Sequence, residues 1–92
     1  MELGNFNLAT GDLNPNLKLF VHTKTGLQPV TNLLLINQQL CLASHASNKP
    51  LTLDQFNTRT KNLSPKLPLK TAAQPPQMLF GFRRAANQII LG

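Results

Sequence analysis

Between Leu17 and Thr23 the chain alternates, with Leu17, Leu19, Val21 and Thr23 on one side of an extended backbone and Lys18, Phe20 and His22 on the other. A period of two over this length predicts a strand with one buried face. Lys24-Thr25-Gly26 then supplies a turn, and Pro29 delays the next element. The segment from Thr31 to Ser47 fits two templates. Leu33, Ile36, Leu40 and Ala43 would share a helix face, whereas Leu34, Ile36, Leu40 and Leu42 would share a strand face broken at Gln38. Polar Asn37-Gln38-Gln39 between two short apolar runs favours a hairpin, although without the glycine that tight hairpins prefer.

Further along, Thr52 and Gln55 have the spacing of a capping box, and Leu53, Phe56, Thr60 and Leu63 share one helix face that Pro65 ends. Residues 66–70, KLPLK, suit an edge segment, because Pro68 has no N–H for a ladder. Residues 71–77, TAAQPPQ, read as a Pro-rich linker. The last fifteen residues again divide. As strands, Met78, Phe80 and Phe82 line one face, with a turn near Ala85–Asn87 and a final strand over Gln88–Leu91; as a helix, Leu79, Phe82, Ala86, Ile89 and Ile90 form an apolar stripe. Residues 1–16 carry Gly4, Gly11, Pro15 and four Asn among isolated apolar positions, which predicts an irregular N-terminal arm. No internal repeat stands out. The expected fold is mainly β, about five short strands with one short helix near residues 52–63, forming a single small domain over residues 17–92. The alternative is an α+β fold with a C-terminal amphipathic helix.

Composition changes this picture in one respect. The 92 residues include eighteen Leu against two Val, three Ile and five Phe, with no Tyr or Trp. A short chain with a core of one flexible residue type has a thin, loosely specified interior, which points to self-association. The formal charge of +6 arises from scarce acid, since only Glu2, Asp12 and Asp54 oppose nine Lys and Arg. The bases are scattered and form no polybasic run. A single cysteine, Cys41, offers no disulfide framework and points to an intracellular, cytoplasmic setting. The opening MELGNFNLATGD has neither a basic nor an apolar signal region, and the aliphatic run Leu33–Ile36 is far too short to span a bilayer.

Three dispersed carboxylates leave no pair for general acid–base work. Cys41 and His45, four residues apart, could be joined by His22, but a structural zinc site needs four ligands. Phosphate-binding glycine loops and other cofactor motifs are absent from the sequence. The expectation is therefore a non-enzymatic, metal-free and cofactor-free accessory protein that self-associates or binds a protein partner, of the size and composition found among small phage and viral gene products. Its interface would be the apolar C-terminal set Met78, Leu79, Phe80, Phe82, Ile89, Ile90 and Leu91. Two alternatives remain open. One is nucleic-acid binding through Arg83, Arg84, Lys61, Lys66 and Lys70. The other is attachment of residues 78–91 to a membrane surface as an amphipathic helix.

Overall fold

The computed structural model describes residues 1–45, 48–73 and 75–92. Among them the chain forms a mainly β domain with two short helices: α1 (Leu3–Ala9), β1 (Lys18–Thr23), β2 (Gly26–Pro29), β3 (Asn32–Ile36), β4 (Gln39–Ala43), α2 (Leu53–Thr60), β5 (Leu69–Thr71), β6 (Phe82–Ala85) and β7 (Gln88–Leu91). The strands make two sheets, ordered β2-β1-β7-β6 and β3-β4-β5. The alternation over residues 17–23 is β1, with Leu19 and Val21 buried. The capping box is present on α2: Gln55 N–H donates to the Thr52 hydroxyl, and Thr52 N–H donates to the Gln55 side chain. The 31–47 segment is a β3–β4 hairpin through residue 43, turned by Asn37 and Gln38 with φ of 50° and 60°. Both angles lie in the left-handed region that a two-residue hairpin turn demands, so the turn forms without glycine at a cost of about 1 kcal/mol per residue.

One expectation about an element needs correction. Residues 1–16 are not an irregular arm: Leu3 and Phe6 of α1 are 1% and 0% exposed. Gly and Asn are weak helix formers, but burial of these two side chains outweighs propensity, as tertiary packing commonly does for short helices. Of the two readings of the last fifteen residues the strand reading holds: the segment is a hairpin, β6–β7, with the final strand over Gln88–Leu91, and the alternative of an amphipathic helix falls. β7 is a central strand, paired in parallel with β1 and antiparallel with β6, and Ile89, Ile90 and Leu91 are all buried. A strand covered on both faces needs a continuous apolar run, which removes the alternation that would have marked it as a strand. The expected linker is also closed on itself: Thr71 N–H donates to the Gln77 carbonyl at 2.8 Å, and Gln77 N–H donates to the Thr71 hydroxyl at 3.0 Å. Gln74 within it, and Ala46 and Ser47 of the 31–47 segment, lie outside the described residues.

A second correction concerns repetition. The two halves of the chain are structural equivalents, and each is completed by the other. Leu53 N–H donates to the Leu17 carbonyl at 2.8 Å, and Leu3 N–H donates to the Leu67 carbonyl at 2.8 Å. Leu19 N–H donates to Leu51 and Leu69 N–H to Met1, each at 2.9 Å; Val30 N–H donates to Leu19 and Leu79 N–H to Leu69, each at 3.0 Å. The hydroxyls of Thr10 and Thr60 bond back to the carbonyls of Phe6 and Phe56 at 2.8 and 2.9 Å. The strand exchange follows the same rule: β1 of the first half pairs with β7 of the second, and β5 of the second with β4 of the first, both parallel. Each helix thus has N-terminal N–H groups, otherwise without an intrahelical partner, satisfied by carbonyls of the opposite half. Read through this pairing, Leu3, Phe6, Asn7, Thr10, Leu13, Pro15, Leu17 and Leu19 recur fifty residues later as Leu53, Phe56, Asn57, Thr60, Leu63, Pro65, Leu67 and Leu69. Phe6 and Phe56 meet edge to face at 5.3 Å, so equivalent rings touch in the shared core, and Phe82 packs on Phe6 at 5.4 Å.

Candidate interaction surface

Four strands have an outer edge with no neighbouring strand in the described sheets: β2, β6, β3 and β5. Such an edge presents unpaired N–H and C=O groups, and natural sheets guard it with charge, proline or brevity. β6 carries Arg83 and Arg84, both exposed. β2 ends in Pro29. β5 has three residues, contains Lys70, follows Pro68 and is bridged by Met78. β3, Asn-Leu-Leu-Leu-Ile, has no charge and no proline, and its Leu34, Leu35 and Ile36 are 43%, 58% and 43% exposed. Adjacent strand residues point to opposite faces, so apolar surface flanks this edge on both sides. In the equivalent hairpin of the other half, Arg83 and Arg84 take the places of Leu34 and Leu35.

The C-terminal set proposed from sequence does not form one exposed face. Leu79, Ile89, Ile90 and Leu91 are core residues, and Phe82 is half-buried against Phe6. Only Phe80, 81% exposed, and Met78, 40% exposed, are available for contact. The basic set is distributed over three elements. Arg83 and Arg84 are consecutive on β6, Lys61 is the C-cap of α2 with Lys66 in the loop beyond, and Lys70 is on β5 opposite Cys41. Arg83 lines an open pocket of about 440 Å³ with His22, Phe82 and Gly92, and none of the lysines reaches it.

A different basic cluster forms instead. Lys18 at the start of β1, Lys49 in the loop before α2 and Arg59 in the last turn of α2 line one open bay of about 750 Å³. Backbone pairing of Lys18 with Thr52 brings β1 against the start of α2, and Thr52 and Arg59, two turns apart, lie along one side of the helix. Three of the neutral polar residues here already have partners. Thr52 and Gln55 cap each other's backbone, and the Thr31 hydroxyl bonds the Asn32 side-chain oxygen at 2.6 Å while accepting His45 N–H at 2.8 Å. Neither cluster β3 nor this bay was read from the sequence. Lys18, Lys49 and Arg59 are far apart along the chain, and Leu34–Ile36 look like any other core run.

Cys41 is buried in β4, and burial pushes its thiol above the ordinary range, with the Lys70 charge drawing it partly back. Among the described residues, no three His, Cys, Asp or Glu side chains gather where a metal could bind. No helix among them is long and apolar enough to cross a membrane. No protein-family model, curated protein or solved structure matches the chain.

Proposed function

We propose that the protein is a non-enzymatic contact module that self-associates by pairing β3 with β3 of a second copy, antiparallel across a two-fold axis. The observation that carries this reading is that, among the outer strands of the described residues, β3 alone is uncharged, proline-free and apolar on both sides. A two-fold contact sets a strand against itself, and each charge on it would then oppose its own copy or a near neighbour. β6 and β5 would bring Arg83, Arg84 or Lys70 together in a chain of net charge +6, whereas β3 sets Leu34 and Leu35 against apolar residues. Pairing would satisfy the open backbone edge and cover the exposed leucines together.

Sedimentation of the full chain tests this. The wild type should sediment as a dimer at micromolar concentration, and Leu35→Lys, which places a charge on the edge, should be a monomer with an unchanged far-ultraviolet spectrum. A monomeric wild type at high micromolar concentration would overturn the proposal, as would a Leu35→Lys dimer of undiminished strength.

A further inference from the structure

The equivalence of the two halves provides an internal control for the basic bay. Its counterpart in the other half is built on the same framework, with Pro68 in the place of Lys18, Glu2 in that of Thr52 and Ala9 in that of Arg59, while Lys49 lies ahead of Leu51, the equivalent of Met1, outside the matched stretch. The buried positions of the two halves match, while these surface positions differ in charge and size. Folding accounts for the first set and not for the second, because the counterpart folds in the same way without a basic side chain at either matched position; the ammonium of Met1 there is held by the Leu79 carbonyl. Three of the nine basic side chains of the molecule line one bay that contains no carboxylate. Like charges gathered in this way repel, and an anion between them reverses the sign.

We propose that the bay formed by Lys18, Lys49 and Arg59 is an anion site that receives the phosphate groups of a ligand. Its capacity, about 750 Å³, is that of a small-molecule pocket rather than a seat for one ion, so it takes an oligophosphate or a phosphorylated compound. Arg59 offers a planar fork to two phosphate oxygens, and Lys18 and Lys49 act as point charges. No aromatic side chain lines the bay to stack on a base, so recognition is of phosphate and not of nucleobase. With no carboxylate to anchor a metal, binding is direct, and magnesium weakens it by competing for the phosphate.

The test titrates the full chain with tripolyphosphate, with ATP and with a short single-stranded oligonucleotide. Two triple variants are compared, Lys18→Gln/Lys49→Gln/Arg59→Gln and Lys24→Gln/Lys61→Gln/Lys66→Gln, which remove equal charge from exposed positions inside and outside the bay. The bay variant should lose at least about tenfold in affinity and the other less than about threefold, a difference of at least about 0.7 kcal/mol. Tripolyphosphate and ATP binding equally would assign the site to soluble phosphates. Tighter, length-dependent oligonucleotide binding that still requires the bay would assign it to a nucleic-acid backbone. Equal losses in the two variants would reduce the effect to net charge and overturn the proposal, and so would a wild type that binds none of the three probes at millimolar concentration. None of these outcomes depends on whether β3 forms a dimer.

Discussion

Cys41 shows how one buried side chain ties stability to pH. Its sulfur is in β4 between Leu40 and Leu42, all three buried, and the folded thiol holds its proton to a higher pH than an exposed one. The unfolded thiol ionises near its ordinary value of about 8.5, so the folded state is fully favoured below that pH and loses this advantage as pH rises towards the folded value. The denaturation midpoint of the wild type should therefore fall more steeply above about pH 8.5 than that of Cys41→Val. Parallel pH profiles for the two proteins would show that the thiol contributes nothing. The aromatic residues act differently. Phe6 has no ionisable group, and its role is geometric: it meets Phe56 and Phe82 edge to face and so joins the two halves and a strand of one sheet. Such ring pairs add about 1 kcal/mol each beyond the area they bury.

At the scale of elements, the two helices have the same place in the fold and different means of starting. α2 begins with the reciprocal Thr52–Gln55 capping box, Asp54 in its first turn and Arg59 in its last, both favourable to the helix dipole. α1 has Glu2 at its N-cap but no side-chain cap bond, no acidic residue in its first turn and no basic residue in its last. It depends on the carbonyls of Leu67 and Pro65, which accept the N–H groups of Leu3 and Gly4 at 2.8 Å. Thr52→Ala should lower stability by about 1 kcal/mol in chemical denaturation. An unchanged midpoint would mean that the Leu53 and Asp54 N–H bonds to Leu17 and Pro15 already suffice. The same contrast explains what could be read beforehand. The box on α2 is a local signal written in two residues, and the helix over 52–60 was legible from it. α1 carries the same apolar spacing, Leu3, Phe6 and Thr10, among glycine and asparagine that suggest a turn, and the partner that stabilises it is more than sixty residues away.

For the molecule as a whole, the exchange of strands and helix ends means that neither half is a folding unit. β1 needs β7, β5 needs β4, and each helix is held by the loop of the other half. Deleting residues 1–10 would leave the Leu67 and Pro65 carbonyls without their donors and open the ring cluster around Phe56 and Phe82. The truncated chain should show no cooperative thermal transition by circular dichroism, and a sharp melt near the wild-type temperature would contradict the interlocked arrangement. The surface follows a different rule. Equivalent positions agree inside and diverge outside, leaving β3 apolar where β6 is basic and one bay cationic where its counterpart is not.

The sequence by itself determined the elements with short-range signals: the alternation of β1, the capped helix α2, the hairpin around Asn37–Gln38 and the mainly β character. The repeat was hidden because its matches are widely spaced and drawn largely from leucine, the commonest residue in the chain, and because the register shifts. Leu19 matches Leu69 at a separation of fifty, whereas Val30 and Leu42 match Leu79 and Leu91 at forty-nine. Burial of Ile89, Ile90 and Leu91, exposure of Leu34, Leu35 and Ile36, and the gathering of Lys18, Lys49 and Arg59 were decided only by tertiary structure. An apolar run reads alike whether its strand is central or at an edge, and strand order is set by pairing between halves. Charges from β1, a loop and α2 become neighbours only when that pairing closes the fold.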